Sequence, residues 1–331
     1  SSTAWLRAAG DSQRRQTPSM AGSAPASAFT AMTGEVTILG NGVTNADVSA
    51  AAALGRSLAE VWDLEFSRFR PECTLCRLNA AEGRPLEATP RFLDMLDAAQ
   101  AGVRATNGRF NPAVLGALEA AGYDRTFAEV SGRAIASRSG WPSMVHADWD
   151  AVEIDRDAST VRLPIGMRID LGGIAKGGFV DALADALRDW PGGMIDAGGD
   201  LRVWGSTDIG PWVIAVEHPG RLEEDLLLAE IVQPRRAGGV ATSGTNRRTW
   251  TTEDGTAHHL IDPVTGTPVV SDRASATAFA PSCVSAEIAT KALMIGGAAG
   301  ALGDLARGLV LDAEGRVLLD CGTAPESVLI S

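Results

Sequence analysis

Apolar positions recur at helical spacing in two early stretches. Over 47–66 they form one stripe of Leu54, Leu58, Val61, Trp62 and Phe66, and over 90–106 a second of Phe92, Leu96, Ala99 and Val103. Pro90 fits the first turn of the second helix, where its missing N–H costs nothing. The turn-rich NGRFNP (107–112) separates this helix from a shorter one over 112–121, and 131–149 shows neither period and reads as loop. EVTIL (35–39) alternates and predicts a first strand. AVEIDRDASTVRLP (151–164) alternates on both sides of a polar turn at 155–158, the pattern of a hairpin.

Next comes DLGGIAKGG, with four glycines inside 172–178, followed by a helix carrying Phe179, Val180, Leu183, Leu187 and Trp190. Strand signals then dominate: LRVWG (201–205), WVIAVEHP (212–219), LLLAEIV (226–232) and ATAFA (276–280). A helix over 284–305 interrupts them, and LVLDAEGRVLLD (309–320) closes the chain as a second hairpin. No fixed-period repeat is visible. Helices mingling with hairpins predict an α+β fold, mainly antiparallel sheets flanked by helices. Residues 1–28, rich in Ser, Ala, Gln, Arg and Pro without periodicity, read as a flexible leader, and 29–331 as one domain. The chain as given points to the cytoplasm. Its start at Ser1 leaves room for a removed signal or lipid anchor and an extracytoplasmic site.

Composition narrows the function classes. Hydrophobic residues make up 45% and charged residues 21%, ordinary for a globular protein. The net charge of −12 argues against nucleic acid or an anionic membrane as partner, since both need clustered Lys and Arg. No apolar run approaches the roughly 20 residues of a membrane span. Cys73 and Cys76 form a single C-x-x-C, with Cys283 and Cys321 isolated; these read as plain thiols, not a zinc site.

Four stretches have the character of ligand loops. Asp170 and Lys176 bracket the glycines, where free N–H groups and the helix dipole favour an anion. MIDAGGDLRVWG (194–205) has paired glycines between two acids. GGVATSGTNRR (238–248) gathers Thr242, Ser243, Gly244 and Thr245, suited to phosphate oxygens. HHLIDPVTGTP (258–268) offers His258, His259 and Asp262 before a turn. Each alone is equally a solvated turn; four separated by strands suggest loops converging on one ligand.

The order of these motifs resembles the ApbE flavin transferases, or FAD:protein FMN transferases. The resemblance runs through AMTGEV (31–36), FSRFRPECTLCRLN (66–79), NGRFNP, DLGGIAKG (170–177), DAGGDL (196–201), VATSGT (240–245) and HLIDPVTG (259–266), and ends in the helix after FAPS (279–282). It covers nearly everything beyond residue 28. It implies an enzyme that binds FAD with Mg²⁺, attaches FMN by a phosphoester to a Ser or Thr of an acceptor protein, and releases AMP. The implied acceptor carries Asp-x-x-Ser/Thr-Gly/Ala-Ala-Ser/Thr and is often a redox-complex subunit. The resemblance assigns FAD contacts to Met32, Phe69, Arg109, Phe110, Asn111, Asp170, Lys176 and Leu260, with Phe69 stacking on the adenine. It puts Asn79 near the pyrophosphate and Thr242 and Ser243 near phosphate.

His259 and Asp262 are alternatives for the base that activates the acceptor hydroxyl. For the metal the resemblance implies the Gly173 carbonyl and Thr290. The usual Asp of the late helix falls on Ala286, leaving Glu287 as a displaced substitute. That departure keeps a non-catalytic FAD-binding or delivery protein as an alternative, beside an FAD pyrophosphatase giving FMN and AMP. The glycines of 172–178 are expected to let the pyrophosphate and metal approach the backbone, with a side chain at Gly173 straining a left-handed φ.

Overall fold

A computed structural model describes residues 24–32, 34–131, 134–135, 148–207, 212–220, 225–232, 238–246, 248–252, 255–297 and 306–321. The first half runs β1 (Ala26–Ala31), β2 (Gly34–Asn41), α1 (Asn45–Phe66), α2 (Thr74–Asn79), β3 (Leu86–Glu87), α3 (Pro90–Ala105), α4 (Leu115–Ala120), α5 (Phe127–Val130), β4 (Ala134–Ile135), β5 (Glu153–Asp155), β6 (Thr160–Arg162) and α6 (Ala175–Ala186). The second runs β7 (Gly192–Ala197), β8 (Leu201–Trp204), β9 (Trp212–Glu217), β10 (Asp225–Val232), β11 (Gly238–Gly244), β12 (Thr249–Thr252), β13 (Gly255–His258), β14 (Ser275–Ala280), α7 (Cys283–Met294), β15 (Arg307–Leu311) and β16 (Val317–Cys321).

Eight strands form one sheet in the order β1-β2-β7-β8-β11-β14-β15-β16, every neighbouring pair antiparallel. Helices α1, α6 and α7 pack on this sheet and on one another. The α+β class with antiparallel sheets holds. The largest core joins α1, α3 and α6 to β2 and β7 through Trp62, Phe92, Phe179, Ile38 and Ile195. A second lies between α7 and strands β14 and β15.

The helix ends follow local chemistry. Thr44 and Asp47 form a capping box at the start of α1. Thr89 caps α3, accepting the Phe92 N–H at 3.1 Å, with Pro90 in the first turn. The α1 face differs from the expected stripe: Leu54 and Val61 are 44% and 41% exposed, while Val48, Ala51, Ala52, Ala59, Trp62 and Phe66 are buried. Small residues let α1 sit close to β1, and Phe29 occupies the space beside Gly55 that larger side chains would need. Helix α7 stops at Met294, short of the expected 305, and Gly296 follows with φ 93°. Strand β1 begins at Ala26, inside the stretch read as leader. The loop expected over 131–149 lies mostly outside the described residues; within it β4 pairs with β12 in parallel. Among the described residues, no helix is long and apolar enough to cross a membrane.

Candidate active site

The site grows from the contact between α6 and α7. The Gly177 N–H donates to Glu287 Oε2 at 2.8 Å, and Lys291 Nζ stands 3.5 Å from Glu287 Oε1 one turn along α7. A Cβ on Gly177 would lie 2.5 Å from Glu287 Oε2 and 2.9 Å from the Cys283 carbonyl carbon, so glycine is what lets the helices meet. Asp181 of α6 accepts the N–H groups of Cys283 and Val284 at 2.9 and 3.0 Å, clamping the start of α7. Glu287, 2% exposed, is no solvent-facing acid. Burial pushes its carboxyl up to about 8, Asp200 adds to the shift, and Lys291 and Lys176 oppose it.

Lys176 pairs with Asp200 at 2.5 Å. Burial works against the ammonium, but Asp200 and Glu287 outweigh it and raise its pKa. The turn that delivers Asp200 is built by Gly198 and Gly199, with φ of 68° and 96°, and by Asp196, whose Oδ1 accepts the Gly199 N–H at 2.8 Å. None of the glycines at 172, 173, 177 and 178 has a left-handed φ. The expected strain at Gly173 is therefore absent, and the conformational need for glycine falls on the next loop.

His259 lies in the same field. Burial depresses its pKa well below the usual value, and Arg248 and Lys291 push the same way. One ring nitrogen bonds the Arg248 backbone, while Nδ1 is buried with no partner. A neutral imidazole with an unused buried nitrogen is costly unless something else binds there. His258 is fully committed: Nε2 contacts the Val269 carbonyl at 2.9 Å and Nδ1 accepts the Leu260 N–H at 3.2 Å. Asp262 caps its own turn, with Oδ1 accepting the Val264 N–H at 2.8 Å.

Neighbours on β11, Thr242 and Ser243 face opposite sides of the sheet. Ser243 reaches Thr290 on α7 at 2.8 Å, whereas Thr242 pairs with Thr277 at 2.9 Å. They do not form one phosphate grip, and only Ser243 faces α7. Asp170 accepts the Gly172 N–H at 2.8 Å and pairs with Arg68 at 3.3 Å. The Arg68 guanidinium stacks over both Phe69 and Tyr123, 4.3 and 4.4 Å from the ring centroids, and its Nη2 is buried without a partner. One face of Phe69 is thus already covered by its neighbour.

Asn79 spends its amide on the Ile169 backbone, donating and accepting at 2.8 Å, so it holds the segment that leads into Asp170. Asn111 Oδ1 accepts from Trp149 Nε1 and the Ala113 N–H. Phe110 is buried, its ring 3.9 Å from where a Gly173 Cβ would be. Arg109 immediately precedes it on the same turn, its N–H bonded to the Thr106 carbonyl. Met32, half-buried against the main core, adopts φ 52°. Leu260 packs in the core beneath α7, its N–H and carbonyl both used by neighbouring backbone and His258.

The same order of motifs carries through the whole fold, and a model of the ApbE family matches residues 31–310. The chain belongs to the ApbE family. It is 30% identical over 275 residues to the FAD:protein FMN transferase of Treponema pallidum, covering 76% of this chain and 73% of that protein. It is 36% identical over 133 residues to the FAD:protein FMN transferase of Vibrio cholerae, and that match spans 39% of either chain, well under two-thirds of the relative's length. The fold is shared with the crystal structure of the ApbE protein from Thermotoga maritima, with a TM-score of 0.77 and 24% identity over 92% of this chain and 99% of that one.

The ApbE resemblance implies magnesium at Gly173, Glu287 and Thr290, and the donors present do not fit it. Both Glu287 oxygens are engaged, by the Gly177 N–H and by Lys291. The Thr290 hydroxyl donates to the Glu287 carbonyl at 2.9 Å and pairs with Ser243. Ala286 is buried and offers only a methyl group. Mg²⁺ requires near-ideal octahedral oxygen coordination, and beside Gly173 stands the stem of Lys291. Among the described residues no group of three or more His, Cys, Asp or Glu could hold a metal. Sequence reasoning did not single out Lys291, Asp200, Arg68 or Arg248 as site residues. Asp200 was visible as the second acid of DAGGDL; the others emerge only once α7 and the β11–β12 turn are folded against α6.

Proposed function

We propose that this ApbE chain transfers FMN from FAD to a Ser or Thr hydroxyl of an acceptor protein, forming a phosphoester and releasing AMP. The observation that carries this is His259: a half-buried neutral imidazole whose Nδ1 is enclosed and unpartnered, in the field of Arg248 and Lys291. Lys176 and Lys291 stand by the carboxyl groups of Asp200 and Glu287, and Arg248 stands near Lys176 and His259. A locally cationic centre in a chain of net charge −12 suits a pyrophosphate. Phosphoryl transfer asks mainly for positioning and charge stabilisation.

His259 takes the acceptor's proton on Nδ1 as its oxygen attacks the FMN phosphorus, and AMP leaves. Asp262 shapes the turn beside it. Lys176 binds phosphate oxygens at the glycine turn, and Asp170, Phe69 and Phe110 bound the flavin nucleotide. The acceptor carries the Asp-x-x-Ser/Thr-Gly/Ala-Ala-Ser/Thr motif and is a redox-complex subunit. The test is AMP release from FAD with and without a protein bearing that motif. Transfer predicts AMP only with acceptor. AMP in its absence means hydrolysis, and FAD binding with no AMP in either case means a carrier.

A further inference from the structure

Where the resemblance calls for a divalent ion, the chain supplies an ammonium. Lys291 lies one residue beyond Thr290 on α7, and its Cε is 3.5 Å from the position a Gly173 Cβ would take. Its stem therefore crosses from α7 to the glycine segment that opens α6. Glu287 holds Nζ at 3.5 Å, and Glu287 is itself fixed by the Gly177 N–H at 2.8 Å. Nζ has three N–H donors, and the carboxylate engages one side of it. The side chain keeps 15% of its surface exposed, so this charge is enclosed but reachable by a ligand. Lys176 pairs with Asp200 close by and also feels Glu287.

We propose that the Lys291 ammonium takes the place of a divalent cation in this chain, so that the FAD pyrophosphate is bound without metal. The inference rests on the FAD-binding reading above. An ammonium is a compact, strongly hydrated point charge suited to phosphate oxygens. Unlike Mg²⁺ it needs no octahedron of oxygens, which the committed Glu287 and Thr290 and the methyl of Ala286 do not provide. Glu287 is the positioning residue: it holds the lysine head beside Gly173.

The test is calorimetric titration of FAD into metal-stripped protein, in EDTA and in excess Mg²⁺, for the parent, Lys291→Met and Lys291→Arg. Expected are equal affinities in both buffers for the parent and a loss of about tenfold or more for Lys291→Met, the scale of a charged hydrogen bond. Lys291→Arg should restore most of it, and circular dichroism of ligand-free Lys291→Met should show the parent's folded state. Binding by the parent only when Mg²⁺ is present would overturn the inference and leave the proposed function standing. So would parent-like FAD affinity of Lys291→Met. No FAD binding by the parent in either buffer would overturn both.

Discussion

Gly177→Ala puts one methyl group where α6 and α7 touch. The new Cβ would lie 2.5 Å from Glu287 Oε2, 2.9 Å from the Cys283 carbonyl carbon and 3.0 Å from the Val284 nitrogen. The carboxylate can swing aside, but the Cys283–Val284 backbone cannot, because Asp181 grips both N–H groups. Overpacking of this kind costs about 1–3 kcal/mol. Losing the Gly177 bond to Glu287 costs about 1.5–3 kcal/mol more, and the better helix propensity of alanine returns about 1 kcal/mol. The expected net loss is about 1.5–5 kcal/mol, or about 2–8 °C in melting temperature for a domain of roughly 300 residues. Gly173→Ala is the control. Its Cβ meets Lys291 Cε at 3.5 Å and the Phe110 ring at 3.9 Å, ordinary contacts, so stability should stay within about 0.5 kcal/mol. Scanning fluorimetry and urea unfolding of both variants read the difference. Equal melting of Gly177→Ala and parent would refute the helix contact on which Glu287 and Lys291 depend.

His259→Ala should lower the transfer rate by about 10²–10⁴ with FAD affinity largely kept, as for a lost general base; Asp262→Asn should cost far less, and single-turnover kinetics separate the two. Asn79→Ala leaves the Ile169 N–H and carbonyl unpaired and should cost about 1–3 kcal/mol in urea unfolding. His258 and His259 both titrate below their unfolded values, so below about pH 6.5 the unfolded chain binds more protons than the native one. Stability should therefore be retained above pH 6.5 and fall on acidification, by up to about 1.4 kcal/mol per pH unit per histidine; His259→Gln should flatten the melting-versus-pH curve there.

Much of the scaffold could be read from the chain. The hairpin over 151–164 and the closing hairpin stand where alternation put them; the helix after the glycines is there too, but it ends at Ala186, before the Leu187 and Trp190 it was expected to carry. The α1 stripe misled because hydrophobicity alone ranks Leu54 and Val61 above alanine, while the sheet selects for small size. Strand parity decides that Thr242 and Ser243 part company, and parity depends on a register that sequence does not fix. Asp170, Lys176 and His259, on which the proposed site rests, all stand inside the motifs that carry the family resemblance. Lys291 was not legible: nothing in SAEIATKAL marks which lysine turns inward until Gly173 and Glu287 are in place.

Intact-mass measurement of an acceptor protein bearing the motif, after incubation with this chain and FAD, decides whether it is a flavin transferase. The prediction is an FMN-sized mass gain on the acceptor that maps to the motif's final Ser or Thr and is lost with His259→Ala. An unmodified acceptor, in reactions where an established FMN transferase modifies the same protein, would contradict it.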